Sequence, residues 1–166
     1  MYTTGAIHNF WSDLHTTLRY NRFDFNNQSD ILKWRDQGFS QEYFTGELYD
    51  MRNQMPDWSS PFFNIFQGEN IGICFYKMNT CNILPYHRDT YKKYIEIHKI
   101  KDTSKIKRAI IFLEDWKSGH IFEINNNPIT KWRAGDYVLW KYDAPHMAAN
   151  LGLEPRYTLQ ITFTDV

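Results

Sequence analysis

The reading of this chain turns on Pro85-Tyr86-His87-Arg88-Asp89-Thr90. The stretch closes a short apolar run with a histidine and an aspartate two positions apart. Residues i and i+2 of a β-strand point to one face, so His87 and Asp89 can aim an imidazole and a carboxylate at one point. A third ligand is available downstream, in Tyr142-Asp143-Ala144-Pro145-His146-Met147. Two histidines and one carboxylate hold a divalent metal and leave coordination positions open, the donor set of non-haem iron sites. A His-x-Asp pair alone is weak evidence in a chain with six histidines. Position gives it weight, because it lies at the exit of one apolar strand and His146 lies beside another.

Outward from this stretch the sequence reads as short strands. Residues 71–78, 84–87, 108–113, 119–124, 129–132, 137–141, 146–149 and 156–164 are β-like, with the run Arg108-Ala-Ile-Ile-Phe-Leu113 the most strongly buried in character. Asn125-Asn126-Asn127-Pro128 and Ala134-Gly135-Asp136 are turn sequences. About eight short strands with close turn signals indicate a barrel or a sandwich. No helical period separates them, which argues against a parallel α/β sheet.

The last two strands flank Asn150-Leu151-Gly152, a hairpin signal. A hairpin centred on Leu151 would set His146 opposite Arg156, ten residues on, with Cβ atoms about 4.5–5.5 Å apart. The guanidinium of Arg156 would then reach past the metal as a bidentate carboxylate clamp. Thr158, two residues further, would point the same way. A dicarboxylate with one end on the metal and the other on Arg156 fits this layout.

Composition narrows the function. A chain of 166 residues suffices for one domain with a core, and an aromatic content of 17% argues for a packed fold. The formal net charge is zero, so nothing global favours nucleic acid or a membrane surface. Cys74 and Cys81 lack the further cysteines a zinc site needs and read as reduced thiols. No apolar run reaches transmembrane length, and residues 1–13 lack the apolar core of a secretion signal. These features predict a soluble, cytoplasmic protein.

The first 69 residues read as helices flanking the strands. Ile7, Phe10, Trp11, Leu14 and Leu18 have helical spacing over 7–20. Ser29 or Asp30 would cap a short helix carrying Ile31, Leu32 and Trp34, ended by Gly38. Residues 41–55 would form another, with Tyr43, Phe44, Leu48 and Met51 on one side. The aromatic residues of this half serve to cover a sheet. Arg88 to Arg108 is a basic stretch, eight Lys or Arg against Asp89, Glu96 and Asp102, read as a solvated loop or a lid that attracts an acidic substrate.

Residues 71–166 resemble the double-stranded β-helix core of the Fe(II)- and 2-oxoglutarate-dependent dioxygenases, and within them the prolyl-hydroxylase-like branch. His87, Asp89 and His146 match the family's metal ligands, and Arg156 and Thr158 match its Arg-x-Ser/Thr signature for 2-oxoglutarate. The resemblance implies a mainly β, jelly-roll or cupin-like barrel (70–166) with helices before it (1–69), forming one domain over 1–166. It implies Fe(II) as cofactor, 2-oxoglutarate and O₂ as cosubstrates, and ascorbate as a supporting reductant. Succinate and CO₂ would leave as one oxygen atom enters a C–H bond of an amino-acid residue, free or in a peptide or protein. Tyr76, in phase with Gly72, Cys74 and Met78, matches a tyrosine that members often use to bond 2-oxoglutarate. Related halogenases carry a small residue in place of the carboxylate, so Asp89 implies hydroxylation.

Two other readings remain. Nucleic-acid demethylases of the family carry a second arginine six residues after the first, where this chain has Thr162, and zero net charge also counts against them. A cupin-like metal- or ligand-binding protein without oxygenase activity would share the fold, because fold alone does not fix function. His120 and Trp140 read as satisfied or core residues, and His8, His15 and His98 as non-ligands.

Overall fold

The computed structural model describes residues 1–166. Its strands are β1 (Tyr2–Ala6), β2 (Asn21–Asp24), β3 (Thr45–Asp50), β4 (Glu69–Met78), β5 (Ile83–His87), β6 (Ile106–Phe112), β7 (His120–Ile124), β8 (Asn127–Ile129), β9 (Asp136–Lys141), β10 (His146–Asn150) and β11 (Arg156–Thr164). Two helices join them, α1 (Gln28–Arg35) and α2 (Lys92–His98). A seven-stranded sheet runs β1-β9-β6-β11-β4-β3-β2, and a four-stranded sheet runs β5-β10-β7-β8. Every pairing is antiparallel. This is the mainly β, double-stranded β-helix fold that the sequence predicts. No helix is long and apolar enough to cross a membrane.

Alternation along β11 explains how the layers stack. Leu159, Ile161 and Phe163 bury their side chains with Ile73, Phe75, Ile111 and Leu113 beneath Trp11 and Phe62. The alternate residues Arg156, Thr158 and Thr162 are also buried and face the space between the sheets. There Met78, Ile110, Phe112, Val138 and Trp140 of the large sheet meet Phe122, Ile124 and Ala148 of the small one. Phe25, Ile31 and Phe44 join the same cluster, so residues 25–44 pack against the barrel interior.

The first 69 residues depart from the helical reading. β1, β2 and β3 add three strands to the large sheet. Over 7–20 there is one 3-10 turn, Leu14–Thr17, and Ser12 has φ +48°, a backbone conformation that interrupts a helix. The apolar spacing serves a different end: Ile7, Phe10, Trp11 and Leu18 cover the outer face of the large sheet, and the Trp11 indole donates to the Leu113 carbonyl at 2.9 Å. The helix expected over 41–55 is a 3-10 turn, Gln41–Phe44, followed by β3. Pairing with β4 on one side and β2 on the other outweighs the local helical pattern. The short helix is present as α1, but Asn27 occupies its cap position, with Ser29 and Asp30 inside it. It stops at Arg35, and Gly38 belongs to the turn beyond it, with φ +95°. The turn at 125–128 is tighter than expected. Asn125 and Asn126 both have positive φ, the signature of a two-residue hairpin, so Asn127 and Pro128 already belong to β8.

The expected hairpin between β10 and β11 does not form. β10 lies between β5 and β7, and β11 lies between β4 and β6 in the other sheet. Residues 151–155 instead cross between the sheets, and the crossing is pinned chemically. The fully buried Asn150 side chain donates to the carbonyls of Met78 (2.9 Å) and Glu154 (2.8 Å) and accepts from the Gly152 N–H (2.9 Å). Gly119 packs so closely that a Cβ would lie 2.2 Å from the Gly152 nitrogen.

Asn150→Ala should therefore destabilise the protein by about 2–4 kcal/mol, because three hydrogen bonds vanish and buried carbonyls lose their donor. Urea unfolding would measure it; a stability within about 0.5 kcal/mol of the parent, the usual span of an innocuous surface change, would mean that this amide does not hold the crossing.

Candidate metal centre

β5 ends at His87, and β10 begins at His146. The two residues are Cα partners across the small sheet, so a strand register brings the imidazoles together, with ring centroids 4.4 Å apart. His146 thus faces His87, and Arg156 is the partner of Met78 on β4. Asp89 lies just past the end of β5, where the chain has left the sheet. The loops carrying Asp89 and His146 are tied together by Arg88, which bonds both the side chain and the carbonyl of Asp143.

Hydrogen bonding fixes the tautomers. Nδ1 of His87 lies 2.7 Å from the Pro85 carbonyl, and Nδ1 of His146 lies 3.0 Å from the Ala144 carbonyl. A carbonyl can only accept, so each Nδ1 carries a hydrogen, and Nε2 is left on each ring as the atom that can take a metal. Metal-bound histidines are commonly oriented in this way. The two Nε2 atoms are each 3.5 Å from an oxygen of Asp89, and the ligand atoms of the three residues all lie within 4.8 Å of one another. Burial pushes the pKa of His146 down to about 4, so its imidazole is neutral at pH 7. Burial also raises the Asp89 carboxyl, but the Arg108 guanidinium beside it opposes burial, and that pKa is held well below the usual carboxylate range. Two imidazoles and an ionised carboxylate fit a divalent ion of the 2-His-1-carboxylate type.

A second set of residues lines the same interior. Arg156 is 4% exposed, and its Nη1 meets only the Met78 sulfur at 3.3 Å. Its Nε has no partner. The rings of Phe112, Phe122 and Trp132 surround it with centroids 5.6–5.9 Å from Cζ. Burial lowers its pKa to about 10, with no acidic group to offset the effect. Phe122 also lies 6.4 Å from the His146 ring, centroid to centroid, so one aromatic side chain borders both the guanidinium and the candidate ligand. Thr158 is buried and is the Cα partner of both Tyr76 and Phe112. Burial pushes the Tyr76 phenol well above its ordinary pKa, leaving a neutral hydroxyl.

Sequence reasoning missed Arg108, which it counted in the basic stretch and placed at the start of a buried strand. Its guanidinium bonds Asp89 at 2.5 Å. The missed signal is physical: an arginine inside an apolar strand must find a counter-charge. The rest of the basic stretch holds α2, which has no buried residue. His120 is a satisfied histidine, its Nε2 donating to the Glu154 carbonyl at 3.0 Å. His15 is buried against Glu114. Both cysteines are free, and burial pushes the Cys74 thiol up to about 12.

No protein-family model and no curated relative matches the chain. Among solved structures, it is similar to a Pseudomonas putida prolyl-4-hydroxylase, with a TM-score of 0.59, 13% identity, and coverage of 98% of this chain and 92% of that one. A predicted oxalate decarboxylase from Thermotoga maritima (TM-score 0.45, 12% identity, 72% and 81% coverage) is a weaker match. So is a double-stranded β-helix protein from Klebsiella pneumoniae (TM-score 0.40, 13% identity, 60% and 72% coverage). At these identities the likeness concerns fold alone.

His146→Ala removes one of two imidazole donors and should abolish stoichiometric uptake of Fe(II) or Co(II), and His87→Ala should do the same. Metal content of chelator-stripped and reloaded protein is the measurement, and full occupancy in either variant would exclude the triad as the binding site.

Proposed function

We propose that the protein is an Fe(II)- and 2-oxoglutarate-dependent oxygenase that hydroxylates an amino-acid residue, free or within a peptide or protein. The observation that carries the reading is Arg156, a buried guanidinium without a carboxylate partner, on the interior that also holds His87, Asp89 and His146. Burying an ion costs several kcal/mol unless it is paired, so a guanidinium kept there favours an anionic ligand. A metal-binding cupin without a cosubstrate has no need of it.

In this reading His87, Asp89 and His146 hold the iron. Arg156 binds the far carboxylate of 2-oxoglutarate, with the hydroxyls of Thr158 and Tyr76 as further donors. Phe112, Phe122 and Trp132 keep water from that ion pair and so strengthen it. When bound, the iron supplies activation of O₂ coupled to oxidation of the 2-oxo acid. The balance is substrate C–H, 2-oxoglutarate and O₂ giving substrate C–OH, succinate and CO₂, with ascorbate needed only to keep the metal ferrous. The substrate class follows the sequence resemblance to the prolyl-hydroxylase-like branch. It is tested by screening amino acids and peptides for a mass gain of one oxygen atom.

Arg156→Gln should weaken 2-oxoglutarate binding by roughly 30-fold to several thousand-fold, since truncating one partner of a buried charge pair costs about 2–5 kcal/mol. Arg156→Lys should be milder, as charge survives while the fork is lost. Iron content should hold in both. Titration of 2-oxoglutarate into anaerobic Fe(II)-loaded protein, followed by the metal-to-ligand charge-transfer band, reads the effect. Parental affinity in Arg156→Gln would remove the reason for preferring an oxygenase to a metal-binding cupin.

A further inference from the structure

We propose that Arg108 is a positioning residue of the metal centre, holding one oxygen of Asp89 and so fixing the orientation in which the carboxylate faces the two imidazoles. The inference rests on the metal-centre reading above and gives Arg108 a role toward the metal that the reading does not assign.

Arg108 reaches the site from β6. Its Cα partners are Thr162 on β11 and Trp140 on β9, both of which bury their side chains. Its guanidinium is gripped on three sides. Nη1 donates to Oδ2 of Asp89 at 2.5 Å, Nε donates to the Thr162 hydroxyl at 3.1 Å, and Cζ sits over the Tyr91 ring, 4.3 Å from its centroid. The ion pair is shielded, with side-chain exposures of 14% for Arg108 and 18% for Asp89. The Tyr91 hydroxyl and the Trp140 indole nitrogen are both buried and have no hydrogen-bond partner. Trp140 in turn packs on His146, ring centroids 5.0 Å apart.

The geometry fixes the rotation of the Asp89 carboxylate. Oδ1 lies 3.5 Å from Nε2 of His87, while Oδ2 accepts from Arg108 and lies 3.5 Å from Nε2 of His146. A carboxylate free to turn could present its oxygens to a metal in many ways. One with an oxygen locked in a charge-assisted bond presents them in one orientation. Two physical effects of Arg108 oppose each other. Its positive charge repels a cation, while its grip pre-orients the ligand. Partners of metal ligands typically contribute 10–100-fold to affinity, which sets the sign expected here: orientation outweighs repulsion. A merely structural role would instead place Arg108 as a counter-charge that stabilises the fold without affecting the metal.

The test is titration of the chelator-stripped full-length chain with Co(II), reading affinity by chelator competition and coordination by the d–d absorption bands. Thermal unfolding of the metal-free proteins runs in parallel. Arg108→Gln should weaken Co(II) binding by about 10–100-fold and change the band positions and intensities. Arg108→Lys, which keeps the charge but not the fork, should recover part of the affinity. Thr162→Val, which frees Nε but leaves the Asp89 contact, should lose less than about tenfold, below the range for a direct partner of the ligand. Equal or tighter Co(II) binding in Arg108→Gln with parental bands, whatever its melting temperature, would overturn the proposal. If Arg108→Gln does not fold, parental affinity and bands in Arg108→Lys would overturn it. A parent chain that takes up no Co(II) would instead remove the metal centre itself, a distinct result.

Discussion

The pairing of His87 with His146 is the constraint from which the site follows. It is a backbone register, set by the ladder between β5 and β10, and a slip of one residue would turn each imidazole to the opposite face. The ladder is irregular between His146 and Ala148, immediately beside the ligand. β-Bulges of this kind re-aim side chains and recur near active sites. On its other side β10 keeps a regular register with β7 from His146 to Asn150. The regular edge holds the strand, and the irregular edge adjusts the histidine.

The same strand ends at Asn150, whose side chain secures the crossing to β11. β10 therefore delivers a ligand at one end and anchors the sheet-to-sheet connection at the other. That connection returns the chain at Arg156, opposite Met78. The candidate ligand histidines and the guanidinium thus come from different sheets and face one interior, with Phe122 near both. Packing the two sheets together is what assembles the site, so site geometry and core packing are one problem here.

How much of this was legible in the sequence depends on the range of the interaction. The strand-rich second half was readable because its alternation and turn residues are local signals. The triad was readable as a candidate because His-x-Asp sets two of its residues in one short stretch and the downstream histidine lies beside another apolar strand. The first half misled because Ile7, Phe10, Trp11 and Leu18 suit a helix face and an irregular cover over a sheet equally well. β3 misled because its pairing partners are distant in sequence. The β10–β11 hairpin failed for the same reason. A turn-like Asn-Leu-Gly segment does not say whether the strands beside it pair with each other or with partners in two sheets. Arg156 was singled out by a hairpin geometry that the fold does not contain, and by the resemblance independently of it. Arg108 was missed because its partner, Asp89, lies in another element and only the fold joins them.

Charge explains why the interior suits a dianion. Near the site stand two guanidiniums, Arg108 and Arg156, and one carboxylate, Asp89, while the His146 imidazole is neutral. Arg108 and Asp89 cancel, which leaves Arg156 as the uncompensated charge. A divalent ion on the triad would add two more positive charges to a poorly solvated space. A neutral ligand would leave all of them uncompensated, at a cost that rises as the local dielectric falls. A monoanion on the metal would leave Arg156 unpaired. A dicarboxylate whose one end reaches the metal and whose other end reaches Arg156 compensates both positions at once. The aromatic walls around Arg156 sharpen this selection, since Phe112, Phe122 and Trp132 offer no hydrogen-bond acceptor except through their ring faces. The charge pattern thus favours the cosubstrate class on grounds independent of the sequence resemblance. It also gives the Arg108–Asp89 pair a purpose beyond geometry, because the carboxylate neutralises an arginine whose charge would otherwise add to that of a metal on the triad.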